Sequence, residues 1–406
     1  MAHFRRRHAL DTYHSLLKFS PLVGIFGHRQ VGKTTFLEQV CPTYRSFDDH
    51  KVLDQANSEP AKFLRSLGKK PAAIDESQMC PNLFPALKEY VRKNKRPGQF
   101  VLSGSVRFYS RKAIRESLTG RIATVDLLPM DLTELSDTAR ALLPLQLIGK
   151  TTFNPEWESE LSTPTQKVRE KLITQYYQQG GLPGICFLRN DRIRSERVRE
   201  QLQLMLDRDL RLVYPSTVPF TQLLSYVSQL TTMEGQPVHS TVLRQRTGIS
   251  EVTQKRLLFA LENIFLIRQI PIEGDRNGIS IYFEDQAESL SLSEENSDPL
   301  TQFEGAIYRN FRTPFFYEMG LDFRFFQYRA KPDIRIPFAV RTKKGCLGIL
   351  PILEGSPNRK HLRMAHTFLQ RYSPASILIL TRGHRETRVV EPRILQIPAE
   401  RLLFES

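Results

Sequence analysis

Residues 22–34 read Leu22-Val23-Gly24-Ile25-Phe26-Gly27-His28-Arg29-Gln30-Val31-Gly32-Lys33-Thr34, an apolar run that closes in the pattern G-x-x-x-x-G-K-T. An apolar strand, a glycine-bounded turn and a helix with Phe36, Leu37 and Val40 on one face open a parallel α/β sheet. The glycines let successive backbone N–H groups turn inward around phosphate oxygens. The following helix N-terminus adds its partial positive charge at the same point. Gly27, His28, Arg29, Gln30, Val31, Gly32, Lys33, Thr34 and Thr35 are therefore the expected nucleotide-binding loop. Lys33 is placed to reach the β- and γ-phosphates, and the Thr34 hydroxyl to ligate Mg²⁺.

Working outward, the apolar runs Ala72–Asp75, Phe100–Ser103 and Ile122–Leu127 alternate with helical stretches, which predicts a parallel sheet with helices on both faces. The first of them ends in two adjacent carboxylates. Asp75 is expected to hold Mg²⁺ through its water shell, and Glu76 to polarise the attacking water. Taken alone, a strand ending in Asp-Glu more often caps the next element; its place downstream of this loop favours chemistry. Ser103 and Ser105 either sense the γ-phosphate or simply end their strand. Arg121 is the candidate for stabilising transition-state charge. It belongs to a cluster of nine Lys and Arg between residues 91 and 121, expected beside the nucleotide.

The chain has 406 residues, of which 40% are hydrophobic and 25% charged, so a disordered or fibrous protein is excluded. With 58 Lys and Arg against 43 Asp and Glu, the net charge is +15, and a polyanion is the first partner to consider. No apolar window is long enough to span a membrane. Asp11, His14 and Lys18 interrupt any signal-peptide core after Arg5, Arg6 and Arg7. Cys41, Cys80, Cys186 and Cys346 lie far apart and read as reduced thiols. A cytoplasmic protein is expected.

The chain resembles the AAA-like P-loop ATPases that carry a C-terminal DUF4143 region. The residues that carry the resemblance are Gly27–Thr35, Phe47-Asp48-Asp49, Glu59-Pro60 with Phe63-Leu64, Ile74–Gln78, Leu102–Ser105 and Leu118–Arg121. Gly180–Pro183 (GGLP) and Arg208-Asp209-Leu210 match further on. The resemblance implies an ATP-binding domain over 1–136, then a winged helix, then a C-terminal domain like the PD-(D/E)xK nucleases. Expected boundaries are a helical segment at 137–215, a winged helix at 216–285, an acidic linker at 286–299 and an α/β domain at 300–406.

The winged helix is also legible directly. Residues 240–246 form a short helix, Thr247-Gly248-Ile249 a tight turn, and Ser250 caps a second helix. Glu251, Thr253, Gln254, Lys255 and Arg256 stand at its expected exposed start, and Phe265–Ile270 with Ile279–Phe283 make the wing. DNA and a protein partner, a second copy of this chain included, both fit this segment. Glu284–Asp298, with six acids and no Lys or Arg, reads as solvated. In the last segment the resemblance aligns Glu304 and Asp333 with nuclease positions. Where that pattern wants Glu-x-Lys this chain has Leu353-Glu354-Gly355, so a degraded site that does not cut is expected. The reading is an Mg²⁺-dependent ATPase coupled to DNA or protein binding. A nucleotide-gated switch with little turnover and no nucleic-acid role is the alternative.

Overall fold

The computed structural model describes residues 5–107, 118–274, 278–293, 298–318, 320–353 and 355–406. Strands β1 (Leu22–Gly27), β2 (Thr43–Ser46), β3 (Ala72–Asp75), β4 (Phe100–Gly104) and β5 (Ile122–Leu127) form a parallel sheet in the order β2-β3-β4-β1-β5. Side chains alternate across it. Val23, Ile25, Ala73 and Val101 face helices Ala9–Leu17 and Lys33–Val40, whereas Leu22, Ile74, Phe100 and Leu102 face helices Pro60–Ser66 and Leu83–Lys93. Strands covered on both sides must be apolar throughout, which is why they read as solid apolar blocks.

A second, nine-stranded sheet runs β6-β13-β14-β12-β11-β10-β9-β7-β8. Its members are β6 (Ser159–Glu160), β7 (Ile267–Gly274), β8 (Gly278–Phe283), β9 (Phe323–Arg329), β10 (Arg335–Thr342), β11 (Gly345–Ile352), β12 (Ala375–Thr381), β13 (Glu386–Glu391) and β14 (Ile394–Pro398). Phe338, Val340, Leu347 and Ile349 pack on Phe303, Ile307 and Phe311 of helix Pro299–Phe311. On the other face, Ile336, Leu350 and Ile352 meet Ala365 and Phe368 of helix Arg359–Arg371. The four cysteines are buried free thiols. Among the described residues no helix is long and apolar enough to cross a membrane.

Where it is described, the acidic stretch is not a solvated linker; residues 294–297, with Glu294 and Glu295, lie outside the described residues. Glu284, Asp285 and Glu288 are buried, and Asp285 caps helix Gln286–Leu292 by accepting the Ala287 N–H at 2.9 Å. Composition misled because the cations that neutralise these acids come from elsewhere in the chain. Glu284 accepts from Arg268 at 2.9 Å and pairs with the buried Arg312. Burial pushes the Glu284 carboxyl up, but the two guanidinium groups override it and hold it at about 2. A folded-state value below the unfolded one stabilises the fold above the ordinary carboxylate range, and that stability is lost as pH falls toward 2. Glu284→Gln is therefore expected to lower the melting temperature at pH 7 and to flatten its decline between pH 5 and pH 3, about the range in which that stability is lost. Thermal melts across that range would show it; parallel wild-type and variant curves would contradict it.

Residues 216–285 fold as helices Phe220–Thr231, Ser240–Thr247 and Glu251–Asn263, followed by the β7–β8 hairpin. Gly248 turns at φ 71°, and the Ser250 hydroxyl accepts the Thr253 N–H at 3.3 Å. Gln254, expected at an exposed start, is buried instead and donates to the carbonyls of Ser240 and Ile249 at 3.0 and 2.9 Å. Nor is the hairpin a free wing. β7 pairs in parallel with β9, so residues 216–285 and 300–406 share one sheet. β6 adds the helical segment to the same sheet by pairing with β13.

The nuclease-like positions do not converge. Glu304 is buried against Arg335, while Asp333 sits half-exposed on Arg363. Each carboxylate thus faces a guanidinium, and Glu354 lies outside the described residues. Among the described residues no group of three or more His, Cys, Asp or Glu is arranged to hold a metal ion.

Candidate nucleotide site

Three strands of the parallel sheet bring their carboxyl ends together, β1 with its loop, β3 with Asp75 and β4 with Ser103. Gly27 is required by close approach, since a Cβ there would stand 2.4 Å from the Leu127 carbonyl oxygen. Gly32, at φ 91°, turns the chain into helix Lys33–Val40 in the left-handed region that glycine tolerates. Lys33 is buried and donates to the carbonyls of Gly27 and His28 at 3.0 and 2.9 Å. Burial pulls its ammonium below the usual lysine range, against the opposing pull of Glu76 and Asp75.

Asp75 is the hub. Its Oδ2 accepts the hydroxyls of Thr34 at 2.7 Å and Tyr44 at 2.8 Å; its Oδ1 accepts the Ser103 hydroxyl and, at 3.0 Å, the Glu76 N–H. Glu76 adopts the left-handed region at φ 52°, a strained conformation of the kind that gathers at functional sites. Burial pushes its carboxyl up, despite the counter-pull of Lys33, and Gln78 donates to it. That direction suits a base working near neutral pH. The structure thus brings Lys33, Thr34, Asp75, Glu76 and Ser103 together.

Arg121 does not join them. It precedes β5, whose first residue pairs with Leu22 at the start of β1, whereas the loop follows Gly27 at the end. A strand of six residues separates the two positions, roughly 20 Å at about 3.3 Å per residue. The basic cluster of residues 91–121 lies with it at that far edge where it is described, except Arg107, which follows β4; Arg111, Lys112 and Arg115 fall outside the described residues.

Arg7 and Gln201 stand at the loop without any local sequence signal, and they join residues that the sequence motifs had singled out. Arg7 donates to the carbonyls of Val31 at 2.7 Å and Leu128 at 2.5 Å and to Glu134 at 3.2 Å, buckling the loop to the chain beyond β5. Arg29 holds the buried Asp209 through two bonds of 2.5 and 3.0 Å. Asp209 ends a π-helical turn, Met205–Asp209, inside an otherwise α-helical run. Such turns recur at functional sites. His28 stands 2.9 Å from Glu288, which also accepts from Gln201 at 2.8 Å. Burial pulls the His28 imidazole down, but Glu288 more than restores it, so it sits above the usual histidine value. Asp285, raised to about 6 by burial and then by Glu288, accepts the Gly181 N–H at 2.7 Å. The GGLP and RDL motifs thus acquire positions: Gly184 donates to the Gln30 carbonyl, and Pro183 lies against Gly32. A cavity of about 610 Å³ opens here, lined by Arg7, Lys33, Thr34 and Glu76 and by the apolar side chains of Pro183 and Phe187.

A strand–loop–helix phosphate cradle with a carboxylate pair at the end of the next strand but one defines a P-loop nucleotide domain, and comparison agrees. Residues 20–136 match the AAA domain family, the class of AAA-type P-loop ATPases. Residues 170–276 match a domain of unknown function, DUF8612, not the DUF4143 region expected; that match runs across the boundary drawn at 215. Two curated relatives, the uncharacterized proteins Rv2008c of Mycobacterium tuberculosis and Mb2031c of Mycobacterium bovis, are each 24% identical over 268 residues, 65% of this chain. The chain spans about half (53%) of their length. Among solved structures, the Walker-type ATPase PABY2304 of Pyrococcus abyssi is 14% identical, covering 71% of this chain and 95% of its own, with a TM-score of 0.43. AMPPCP-bound DnaA from Aquifex aeolicus is 12% identical, covering 63% and 85%, with a TM-score of 0.27.

Proposed function

We propose that this chain binds ATP with Mg²⁺ on the Gly27–Thr35 loop and hydrolyses it slowly, passing its nucleotide state to the segments that pack on the loop. The observation that carries this reading is the contiguous set of Lys33, Thr34, Asp75 and Glu76. Lys33 neutralises charge on the β- and γ-phosphates. The donor set suits magnesium, since Thr34 and Asp75 offer hard oxygens 2.7 Å apart. The metal supplies further charge neutralisation on the phosphates. Glu76 takes a proton from water as its oxygen attacks the γ-phosphorus; the bond to the β-bridging oxygen breaks, and ADP and phosphate leave. Slow turnover is supported by the arginines, because Arg29 is engaged by Asp209 and Arg121 stands at the far edge.

Arg29–Asp209 and His28–Glu288 give the loop two direct connections to the helical segment and to helix Gln286–Leu292. The partner reading favours protein at helix Glu251–Asn263. Its outward face sets Val252 and Phe259, 64% and 53% exposed, around Lys255 and Arg256, a mixture better suited to a protein surface than to base edges. Lys33→Ala is the test of the nucleotide reading. It is expected to weaken binding of a fluorescent ATP analogue on the order of a hundredfold or more, the loss of a buried charge-assisted contact to phosphate. Wild-type affinity in that variant would overturn the assignment.

A further inference from the structure

The turns that precede β1, β3, β4 and β5 meet at the amino edge of the parallel sheet, opposite the nucleotide site. Hydrogen bonds lace them together. The Gly98 N–H donates to the Ser20 carbonyl at 2.9 Å, the Ala72 N–H to that of Gln99 at 3.0 Å, and the Ala123 N–H to the Ser20 hydroxyl at 3.1 Å. Every one of these turns carries cations: Lys18 before β1, Lys69 and Lys70 before β3, Lys95 and Arg96 before β4, and Arg121 before β5. Lys18, Lys69, Lys95 and Arg96 are exposed, while Lys70 and Arg121 are half-buried. Lys70 is the exception: its ammonium is buried 3.7 Å from the centroid of the Phe100 ring, and burial pulls it down to about 8, so it stands behind the edge and not on it.

Helix Leu83–Lys93 ends on the same edge, adding Arg92 and Lys93, which share the single carboxylate of Glu89. Among the described residues, Glu38 near the end of helix Lys33–Val40 and Asp11 in the first turn of helix Ala9–Leu17 are further acids on helices that finish there, and Asp11 is paired with Arg6. The four strands span three inter-strand gaps, about 15 Å at roughly 4.8 Å each. So many cations on so narrow an edge repel one another, and a regularly spaced polyanion relieves that repulsion. Beside Lys18, the ring of Phe19 is 61% exposed and offers a flat apolar face.

We propose that this edge binds the phosphodiester backbone of a nucleic acid, on the side of the sheet away from the nucleotide and apart from helix Glu251–Asn263. Duplex DNA presents one charge per ~1.7 Å of axis, so an edge of this width faces on the order of eight charges, about half of them within reach. The contact is sequence-independent, because cations on flexible side chains read phosphate and not base edges.

The test uses the full chain and the fluorescence anisotropy of a labelled 20-base-pair duplex, several times longer than the edge at ~3.4 Å per base pair, in 50–200 mM KCl. The logarithm of the binding constant is expected to fall against the logarithm of salt with a slope of about −4. The triple variant Lys69→Gln, Lys95→Gln, Arg96→Gln should bind at least about tenfold more weakly at 100 mM and show a slope shallower by about 2–3. ATP-analogue binding measured on the same preparation reports whether the domain is intact, and it separates this proposal from the nucleotide reading. Wild-type affinity and slope in the triple variant would overturn it, as would a loss that follows Lys255→Gln, Arg256→Gln instead. So would a wild-type chain that ignores the duplex at the lowest salt. Polyglutamate bound as tightly as the duplex would transfer the edge to an acidic protein partner.

Discussion

Glu76→Gln is expected to bind ATP about as well as the wild-type chain while hydrolysing it on the order of 10²–10⁴-fold more slowly, the usual contribution of a positioned general base. The expectation rests on a division of labour. Lys33 is assigned to phosphate and Thr34 with Asp75 to the metal, and Asp75, engaged on both oxygens by hydroxyls and a backbone N–H, is held in place for that role and not for proton transfer. Glu76 is the carboxylate whose burial moves its proton affinity toward neutrality. Replacing it by the isosteric amide keeps the shape and the contact with Gln78 but removes the proton acceptor. Single-turnover hydrolysis with a binding measurement on the same preparation separates the two effects. Turnover unchanged in the variant would remove Glu76 from the chemistry; binding lost along with turnover would show that the residue supports the fold of the loop.

The largest effect on stability is expected at Arg309. Its guanidinium donates to the Phe283 carbonyl at 2.9 Å and to Gln286 at 2.7 Å, and pairs with Glu234. Glu234 in turn accepts the Phe283 N–H at 3.1 Å and the Ser289 hydroxyl at 2.5 Å. Helix Pro299–Phe311, strand β8, helix Gln286–Leu292 and the turn after helix Phe220–Thr231 all meet at this pair. Arg309→Met fills a similar volume but strands a buried carboxylate. Breaking a buried pair on one side costs about 3–5 kcal/mol, which for a chain of this length would lower the melting temperature by roughly 4–6 °C. Glu234→Gln added to Arg309→Met should recover part of that loss, since no charge is then left without its partner. A melting temperature within a degree or so of wild type in the single variant would mean the carboxylate takes up a proton at little cost.

Strand positions were legible because each central strand of the parallel sheet is covered on both faces and so carries a solid apolar run. The loop was legible because phosphate chemistry demands glycine, lysine and a hydroxyl at fixed spacing. Arg121 was misplaced by reading nearness in sequence as nearness to the loop. In a parallel sheet, residues before a strand and residues after a strand lie at opposite edges, so the order of strand and arginine already held the answer. Glu284, Asp285 and Glu288 were misread for another reason. An acid-rich run looks solvated unless its cations are visible, and here they are Arg268, Arg312 and His28. The most distant of these pairs, His28 with Glu288, joins the nucleotide loop to a segment that no local pattern connects with it. Arg7 shares that difficulty, since its significance lies wholly in contacts made after folding, whereas Asp209 was marked by its motif and only its partner Arg29 was not foreseen.

The pairing of β7 with β9 bears on how the gene can be divided. A break introduced between Leu292 and Asp298 would leave the amino-terminal fragment with a hairpin edge that has lost its neighbour. The carboxyl-terminal fragment would carry the complementary bare edge on β9, along with a second one on β13 where Ser159 and Glu160 had been. Expressed singly, such fragments should self-associate through those edges. Produced in the same cell, they should find one another and rebuild the nine-stranded sheet, so that the severed chain behaves as a two-part protein.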